Sequence, residues 1–356
     1  MPKIRVLVAE DSLTVRKRLC EVLSADPEID LVGDVNDGKQ AIELCRALRP
    51  DVITMDMMMP VMSGLAATEY IMAHCPTPIV IVSASVNRGE LFKTYEALAA
   101  GAVDVFDKPS GEETDSDWER RFVSTVKLVS RIRVITHPRA RLSGYSGNRP
   151  SEPAPSSSRS SSAIQLVALG ASTGGPSAIV EILRGLPTPF PVPILFVLHI
   201  NEPFGKAFAE WLDGQTGHSV GYAVAGQALR DLRGRVVMAP PDLHLLVQGG
   251  RLSLSSGPER NFCRPSVDVL FESIARECGA VTAGCLLTGM GRDGASGLLE
   301  IRRAGGFTIS QDEASSVVYG MPREAARIGA ARSIIPLERI PAALVDLVEG
   351  RTALSP

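Results

Sequence analysis

Short apolar runs separated by amphipathic stretches constrain this chain more than any other feature. Ile4-Arg-Val-Leu-Val-Ala9, Val52-Ile-Thr-Met55, Ile79-Val-Ile-Val-Ser83 and Ile194-Leu-Phe-Val-Leu198 are each a handful of residues long and almost wholly apolar. A strand apolar on both pleated faces must be covered on both, as in a parallel sheet between helical layers. The runs predict strands over 4–9, 29–35, 51–56, 78–83 and 103–106, and again over 164–169, 192–198, 236–239, 281–287 and 308–310. Helical spacing fills the gaps. Ser12 can cap a helix with Val15, Leu19, Val22 and Leu23 on one face, and Ala41, Leu44, Cys45 and Leu48 mark another. Residues 117–134 read as helix, as do 177–183, 203–212, 266–276 and 295–304. Residues 245–254, with Gly249-Gly250 inside, read as an inserted hairpin. The fold class is therefore α/β, with two doubly wound parallel-sheet domains.

The two series are separated by a stretch of different composition. It includes Pro138-Arg-Ala-Arg141 and Arg149-Pro-Ser-Glu-Pro-Ala-Pro-Ser-Ser-Ser-Arg-Ser-Ser-Ser162. So little apolar side chain cannot offset the entropy of ordering, and a flexible basic linker is expected. The expected boundaries are 1–125 for the first domain, 126–162 for a helix end and linker, and 163–350 for the second. A net charge of −3 over 356 residues gives no sign of nucleic-acid binding. The six cysteines are scattered without a C-x-x-C pair, which fits reduced thiols in the cytoplasm and argues against structural zinc. Residues 3–10 read as a strand, not a signal peptide, and no apolar run is long enough to span a bilayer.

Sites in doubly wound sheets form at the carboxyl ends of the strands. Glu10 and Asp11 end the first strand, Asp56 ends the third and Lys108 follows the fifth. Three crowded carboxylates repel one another unless a cation joins them, and Mg²⁺, a hard ion wanting oxygen ligands, suits the site. With the metal and Lys108 neutralising charge, Asp56 could attack a phosphoryl donor, and Ser83 could hydrogen-bond the acyl phosphate.

In the second half, Val167-Ala-Leu-Gly-Ala-Ser-Thr-Gly-Gly-Pro176 runs from a strand through a serine into a helix. The glycine spacing does not match a phosphate loop, and no Lys-Ser/Thr follows. A nucleophile at a strand-to-helix turn is the better match, since N–H groups just after Ser172, near Thr173, suit an oxyanion. Of the five histidines, His74 falls on a helix, His137 in the linker, His218 in a polar loop with a surface role, and His244 near a turn. His199 ends a strand on the same sheet edge as Ser172 and is the best base, with a core histidine as the alternative. Asp293, in a Gly-rich turn after another strand, could orient it or simply cap a helix. The Met290 N–H could be a second oxyanion donor.

The array Glu10-Asp11-Ser12, Met55-Asp56-Met-Met-Met-Pro60 with Gly64, Ser83-Ala84 and Lys108-Pro109 resembles a two-component receiver domain. The resemblance implies a flavodoxin-like fold and phosphorylation of Asp56 by a histidine kinase. It also implies Mg²⁺ held by Asp11, Asp56 and the Met58 carbonyl, with Glu10 acting through water. One departure stands out: Val105 occupies the usual aromatic switch position, and Phe106 follows it. In the second half, Gly170-Ala-Ser-Thr-Gly-Gly175, His199, Arg264-Pro-Ser-Val-Asp-Val-Leu-Phe271, Thr288-Gly-Met-Gly-Arg-Asp-Gly294 and Glu313-Ala-Ser-Ser-Val-Val-Tyr-Gly-Met-Pro-Arg-Glu-Ala325 resemble the chemotaxis protein-glutamate methylesterase (CheB) family. This implies a Ser172, His199, Asp293 triad acting on glutamate γ-methyl esters of chemoreceptor cytoplasmic domains, with glutamine deamidation as a related acyl transfer and a chemotaxis-type histidine kinase as partner. No cofactor is implied for the esterase. Two further departures are Glu202 near the mouth and Cys263 where the family often places a histidine. The competing expectation is a receiver-controlled binding module without hydrolase activity. A DNA-binding regulator would need a basic recognition helix, which the second half lacks.

Overall fold

The computed structural model describes residues 2–84, 88–109, 116–132, 134, 164–200 and 204–351. Most of the expected linker, together with His137 and Glu202, lies outside the described residues. The chain divides into two compact units, Met1–Gly147 and Asn148–Pro356.

The first unit alternates β1 (Ile4–Ala9), α1 (Leu13–Ser24), β2 (Ile29–Val35), α2 (Gly38–Leu48), β3 (Val52–Met55), α3 (Gly64–His74), β4 (Ile79–Ser83), α4 (Arg88–Ala99), β5 (Asp104–Asp107) and α5 (Ser116–Val129). The sheet is parallel, in the order β2-β1-β3-β4-β5. This is the flavodoxin-like order, whose switch point lies between β1 and β3. Helix starts follow their caps. Ser12, Asp37 and Ser63 accept hydrogen bonds from Val15, Gln40 and Ala66 N–H groups, closing α1, α2 and α3. Helix α5 buries Trp118, Phe122, Val126 and Val129 along one stripe. Phe106 packs against Trp118 and Phe122, with ring centroids 5.7 and 5.5 Å away. Phe106 therefore belongs to the layer under α5, while Val105 is buried on the opposite pleat.

The second unit runs β6 (Leu166–Ala171), α6 (Gly175–Gly185), β7 (Ile194–Leu198), α7 (Phe208–Gln215), β8 (Ser219–Tyr222), β9 (Arg235–Met238), β10 (His244–Gln248), β11 (Arg251–Ser255), α8 (Val267–Glu277), β12 (Thr282–Leu286), α9 (Ala295–Arg303), β13 (Phe307–Gln311), α10 (Met321–Arg327), β14 (Ser333–Ile335) and α11 (Ile340–Val348). Seven strands form a parallel sheet in the order β14-β13-β12-β6-β7-β9-β8, and β10 pairs with β11 as an antiparallel hairpin. Winding reverses at β6, so its carboxyl end is the switch point. The hairpin docks on α8, where the Val247 N–H donates to Ser273 Oγ at 2.9 Å. Leu270, Phe271 and Ile274 of α8 and Leu298 of α9 share one core with β6, β7 and the hairpin.

His218 differs from its expected surface role. It is buried, and its Nε2 hydrogen-bonds the Leu183 carbonyl at 2.9 Å, tying the start of β8 to α6.

At Gly170 the backbone of β6 lies under the first residue of α8: a Cβ there would stand 2.3 Å from Val267 Cγ1. Gly170→Ala forces α8 away and should destabilise the second unit by about 1–3 kcal/mol. Its urea transition should move to lower concentration while that of the first unit stays in place; an unchanged midpoint would refute the contact.

Candidate active site and phosphorylation pocket

Three adjacent strand tips build the candidate active site. Ser172 follows β6, and its N–H donates to the Thr288 carbonyl beyond β12 at 3.0 Å. On the other side, the His199 N–H donates to the Ala171 carbonyl at 3.0 Å. Close approach on the β12 side requires Gly289, where a Cβ would fall 2.7 Å from Ser172 Cβ. Thr288 Oγ1 ties the loops together, donating to the Thr173 carbonyl at 3.0 Å and accepting from the Val318 N–H at 2.9 Å. The Gly289 carbonyl accepts from Gly320 and Met321, which is what the Tyr-Gly-Met-Pro stretch does structurally.

His199 Nε2 and Asp293 Oδ2 are 2.9 Å apart, so the imidazole and carboxylate join as the sequence predicted. Asp293 does not cap its own helix, since Gly294 holds the N-cap position of α9. Instead it sits at the start of α8, accepting from the Val267 N–H at 2.7 Å, the Asp268 N–H at 3.3 Å and Ser266 Oγ at 2.7 Å. Asp268 returns the arrangement by accepting from Gly297 N–H, in the first turn of α9, at 2.7 Å. Asn261 Nδ2 donates to both carboxylates, at 3.1 Å to Asp293 and 2.8 Å to Asp268. His244, considered as a base from sequence, lies behind this layer, accepting from Ser266 N–H at Nδ1 and donating from Nε2 to the Pro258 carbonyl.

The charges follow from these contacts. Burial pushes the Asp293 carboxyl up, but the donors, His199 foremost, hold it below the usual carboxylate range. Burial disfavours a charged His199, yet hydrogen bonds to Asp293 and Cys263 push it up to about 9. Burial, opposed by the Gly297 N–H, pushes Asp268 up to about 6.

Ser172 makes no side-chain hydrogen bond among the described residues, and its link to His199 is not closed. Because Nε2 is committed to Asp293, Nδ1 is the nitrogen left for a proton transfer, and Cys263 Sγ stands 3.8 Å from it. The Met290 N–H likewise has no hydrogen-bond acceptor among the described residues. Asn261 was not legible as a site neighbour, and Cys263, singled out as a departure from the family pattern, was not expected to touch the triad: a four-residue turn, not a motif, brings both in.

In the first unit, Glu10 and Asp56 are buried and Asp11 is exposed. One acceptor oxygen from each lies within 4.8 Å of the others. Lys108 Nζ is 2.9 Å from both Glu10 Oε1 and Asp56 Oδ1. Among the described residues, Glu10 Oε2 and Asp56 Oδ2 are buried without a hydrogen-bond partner. Burial and the Asp56 charge push Glu10 up to about 7; burial also raises Asp56, against the pull of Lys108. Orphaned carboxylate oxygens beside an exposed third carboxylate are the donor set a hard divalent cation wants, so the residues fit Mg²⁺. Ser83 is not turned toward Asp56: its hydroxyl donates to Glu90 Oε1, in α4, at 2.9 Å and accepts from Thr94 at 3.4 Å.

Residues 167–344 match the family model of CheB methylesterase, and 6–114 that of the response regulator receiver domain. A protein-glutamate methylesterase/protein-glutamine glutaminase of Nitrosospira multiformis is 42% identical over 98% of both chains. The chain belongs to the CheB methylesterase family. A Geobacter metallireducens relative with the same enzyme name is also 42% identical, over 97% of this chain and 99% of its own length. The crystal structure of the Thermotoga maritima CheB methylesterase catalytic domain, 34% identical, is covered in full by 52% of this chain at a TM-score of 0.50. Among the described residues, no helix is long and apolar enough to cross a membrane.

Replacing the Asp293 carboxylate with an amide removes the charge that holds the proton on His199. In Asp293→Asn the imidazole should titrate well below the wild-type value of about 9, read by NMR of the ring. The raised value also means that the His199 contribution to stability is complete below about 6.5 and is lost as pH rises through about 9. That loss should be visible in wild-type urea curves and absent from the variant.

Proposed function

We propose that this chain is a phosphorylation-regulated protein-glutamate methylesterase that hydrolyses glutamate γ-methyl esters on chemoreceptor cytoplasmic domains, working in the cytoplasm. The observation that carries the reading is the His199–Asp293 pair, 2.9 Å long, at the strand tip beside Ser172. Residues 1–125 act as receiver, 126–162 as connection and 163–350 as esterase.

Ser172 Oγ attacks the ester carbonyl carbon as its proton passes to His199 Nδ1. Asp293 stabilises the imidazolium through Nε2, and preorganised donors make this cheap at the moment of reaction. The oxyanion is met by backbone N–H groups at Thr173 and Met290. Collapse expels methanol, which takes the proton from His199. Water activated by the same imidazole then releases glutamate and restores Ser172. A glutamine side chain follows the same path with ammonia as leaving group, which is the deamidase activity. The open Ser172–His199 link is no obstacle, since such hydrogen bonds close on substrate binding.

In the receiver, Asp56 is the phospho-acceptor for a chemotaxis-type histidine kinase. Lys108 holds its charge in place, and Ser83 turns from Glu90 to the phosphoryl oxygen. Glu10, Asp11 and Asp56, with the Met58 carbonyl, would hold Mg²⁺, which supplies charge neutralisation for phosphoryl transfer.

Ser172→Ala should lower methanol release from methylated receptor fragments by at least about 10³-fold. Undiminished release ends the assignment. Wild-type turnover should rise with pH above 6.5, because the base is the neutral imidazole and its proton is held to about 9. Asp56→Asn should keep the basal rate and lose the stimulation by a small-molecule phosphodonor; stimulation that survives would place the phosphate elsewhere.

A further inference from the structure

Cys263 reaches the cleft by a costly route. Arg260 and Cys263 exchange backbone hydrogen bonds of 3.1 and 3.0 Å across a two-residue turn. Asn261 and Phe262 at its centre have φ of 53 and 62°, the left-handed pattern of a type I′ turn. Phenylalanine is a poor residue there. The turn nonetheless delivers Asn261 Nδ2 to Asp293 and Cys263 Sγ to His199.

The Cys263–His199 spacing is informative. A separation of 3.8 Å is at the long end of the range for a hydrogen bond between sulfur and an imidazole nitrogen. It is close to the span of two donors on one zinc ion. Bonds of about 2.3 Å to sulfur and about 2.1 Å to nitrogen, at a roughly tetrahedral angle, put the donors about 3.6 Å apart. The surroundings fit as well. The thiol donates to the Asn261 carbonyl at 3.4 Å, so a sulfur lone pair is left facing Nδ1. The other ring nitrogen is held by Asp293, the carboxylate–histidine arrangement that orients imidazole ligands in zinc sites. One donor atom each from His199, Cys263 and Asp293 lies within 4.8 Å of the others. Both Asp293 oxygens are already taken by Ser266, Asn261, His199 and the α8 N–H groups, so it acts through the imidazole.

We propose that Cys263 and His199 form a binding site for a thiophilic divalent cation, with Zn²⁺ the best match, water completing the coordination. Sulfur excludes Mg²⁺, so the site is distinct in chemistry from the carboxylate pocket of the first unit. Binding releases two protons to solvent, one from the Cys263 thiol and one from Nδ1 of the imidazolium, and places the ion on Nδ1. If His199 is the base proposed above, the bound ion blocks the nitrogen that takes the Ser172 proton, and Zn²⁺ becomes a reversible inhibitor; this consequence, unlike the binding, rests on that reading.

The test uses the full-length protein in excess Mg²⁺, with Co²⁺ as the spectroscopic probe and Zn²⁺ as the inhibitor. One equivalent of Co²⁺ should produce a thiolate-to-metal charge-transfer band that Zn²⁺ displaces. The band should vanish in Cys263→Ser and in Cys263→Ala. Methanol release should be inhibited by Zn²⁺ and restored by a zinc-selective chelator, and the inhibiting concentration should rise at least tenfold in both variants. Absence of the band in the wild type, or its persistence in the variants through Cys45 and Cys75, overturns the site. A Cys263-dependent band without inhibition keeps the site and removes His199 from the role of base.

Discussion

The exchange of carboxylates between α8 and α9 is the constraint on which the second unit's site depends. Asp293, just before α9, satisfies the first N–H groups of α8; Asp268, in the first turn of α8, satisfies an N–H of α9. Helix N-termini carry unpaired donors and partial positive charge, so each buried carboxylate meets a ready partner. The geometry of one helix start then fixes that of the other. Asp293 cannot swing without leaving the Val267 and Asp268 N–H groups of α8 unpaired, and this rigidity is what lets it hold the His199 ring in one orientation. Ser266 and Asn261 close the remaining directions.

The two units solve related problems with opposite electrostatics. Around Asp293 every carboxylate oxygen is supplied with donors, and the acid stays ionised despite burial. Around Asp56 donors are scarce: one lysine serves two buried carboxylates, and among the described residues their remaining oxygens have no partner. The first arrangement keeps a charge in place; the second leaves, without a donor, carboxylate oxygens of the kind a hard cation binds. Both lie at switch points of parallel sheets, where adjacent strand ends diverge and leave room.

Much of this was readable in the residues alone. Apolar runs gave the strands because buried parallel strands admit few polar side chains, and strand order then put Glu10, Asp11 and Asp56, or Ser172 and His199, on common edges. The Asp293 partnership was readable too, but its helix was not: a carboxylate before α9 looks like that helix's own cap, and only packing assigns it to α8. His218 was misread because a polar neighbourhood in sequence says nothing of the carbonyl that a buried ring will meet. The Asn261–Cys263 turn was invisible for a related reason, since no sequence rule expects phenylalanine at a left-handed position.

The Ser83–Glu90 hydrogen bond gives the first unit an unusual linkage. A hydroxyl already bonded to a carboxylate at the start of α4 can approach a modified Asp56 only by surrendering that carboxylate. Glu90 also accepts from the Ala84 N–H, so its release would free Ala84, just after β4, together with the start of the helix. With Val105 small and Phe106 locked beneath α5, β5 offers no aromatic ring to swing inward. News of the modification would therefore travel along the amino-terminal turn of α4, as an exchange of acceptors instead of the rotation of a ring.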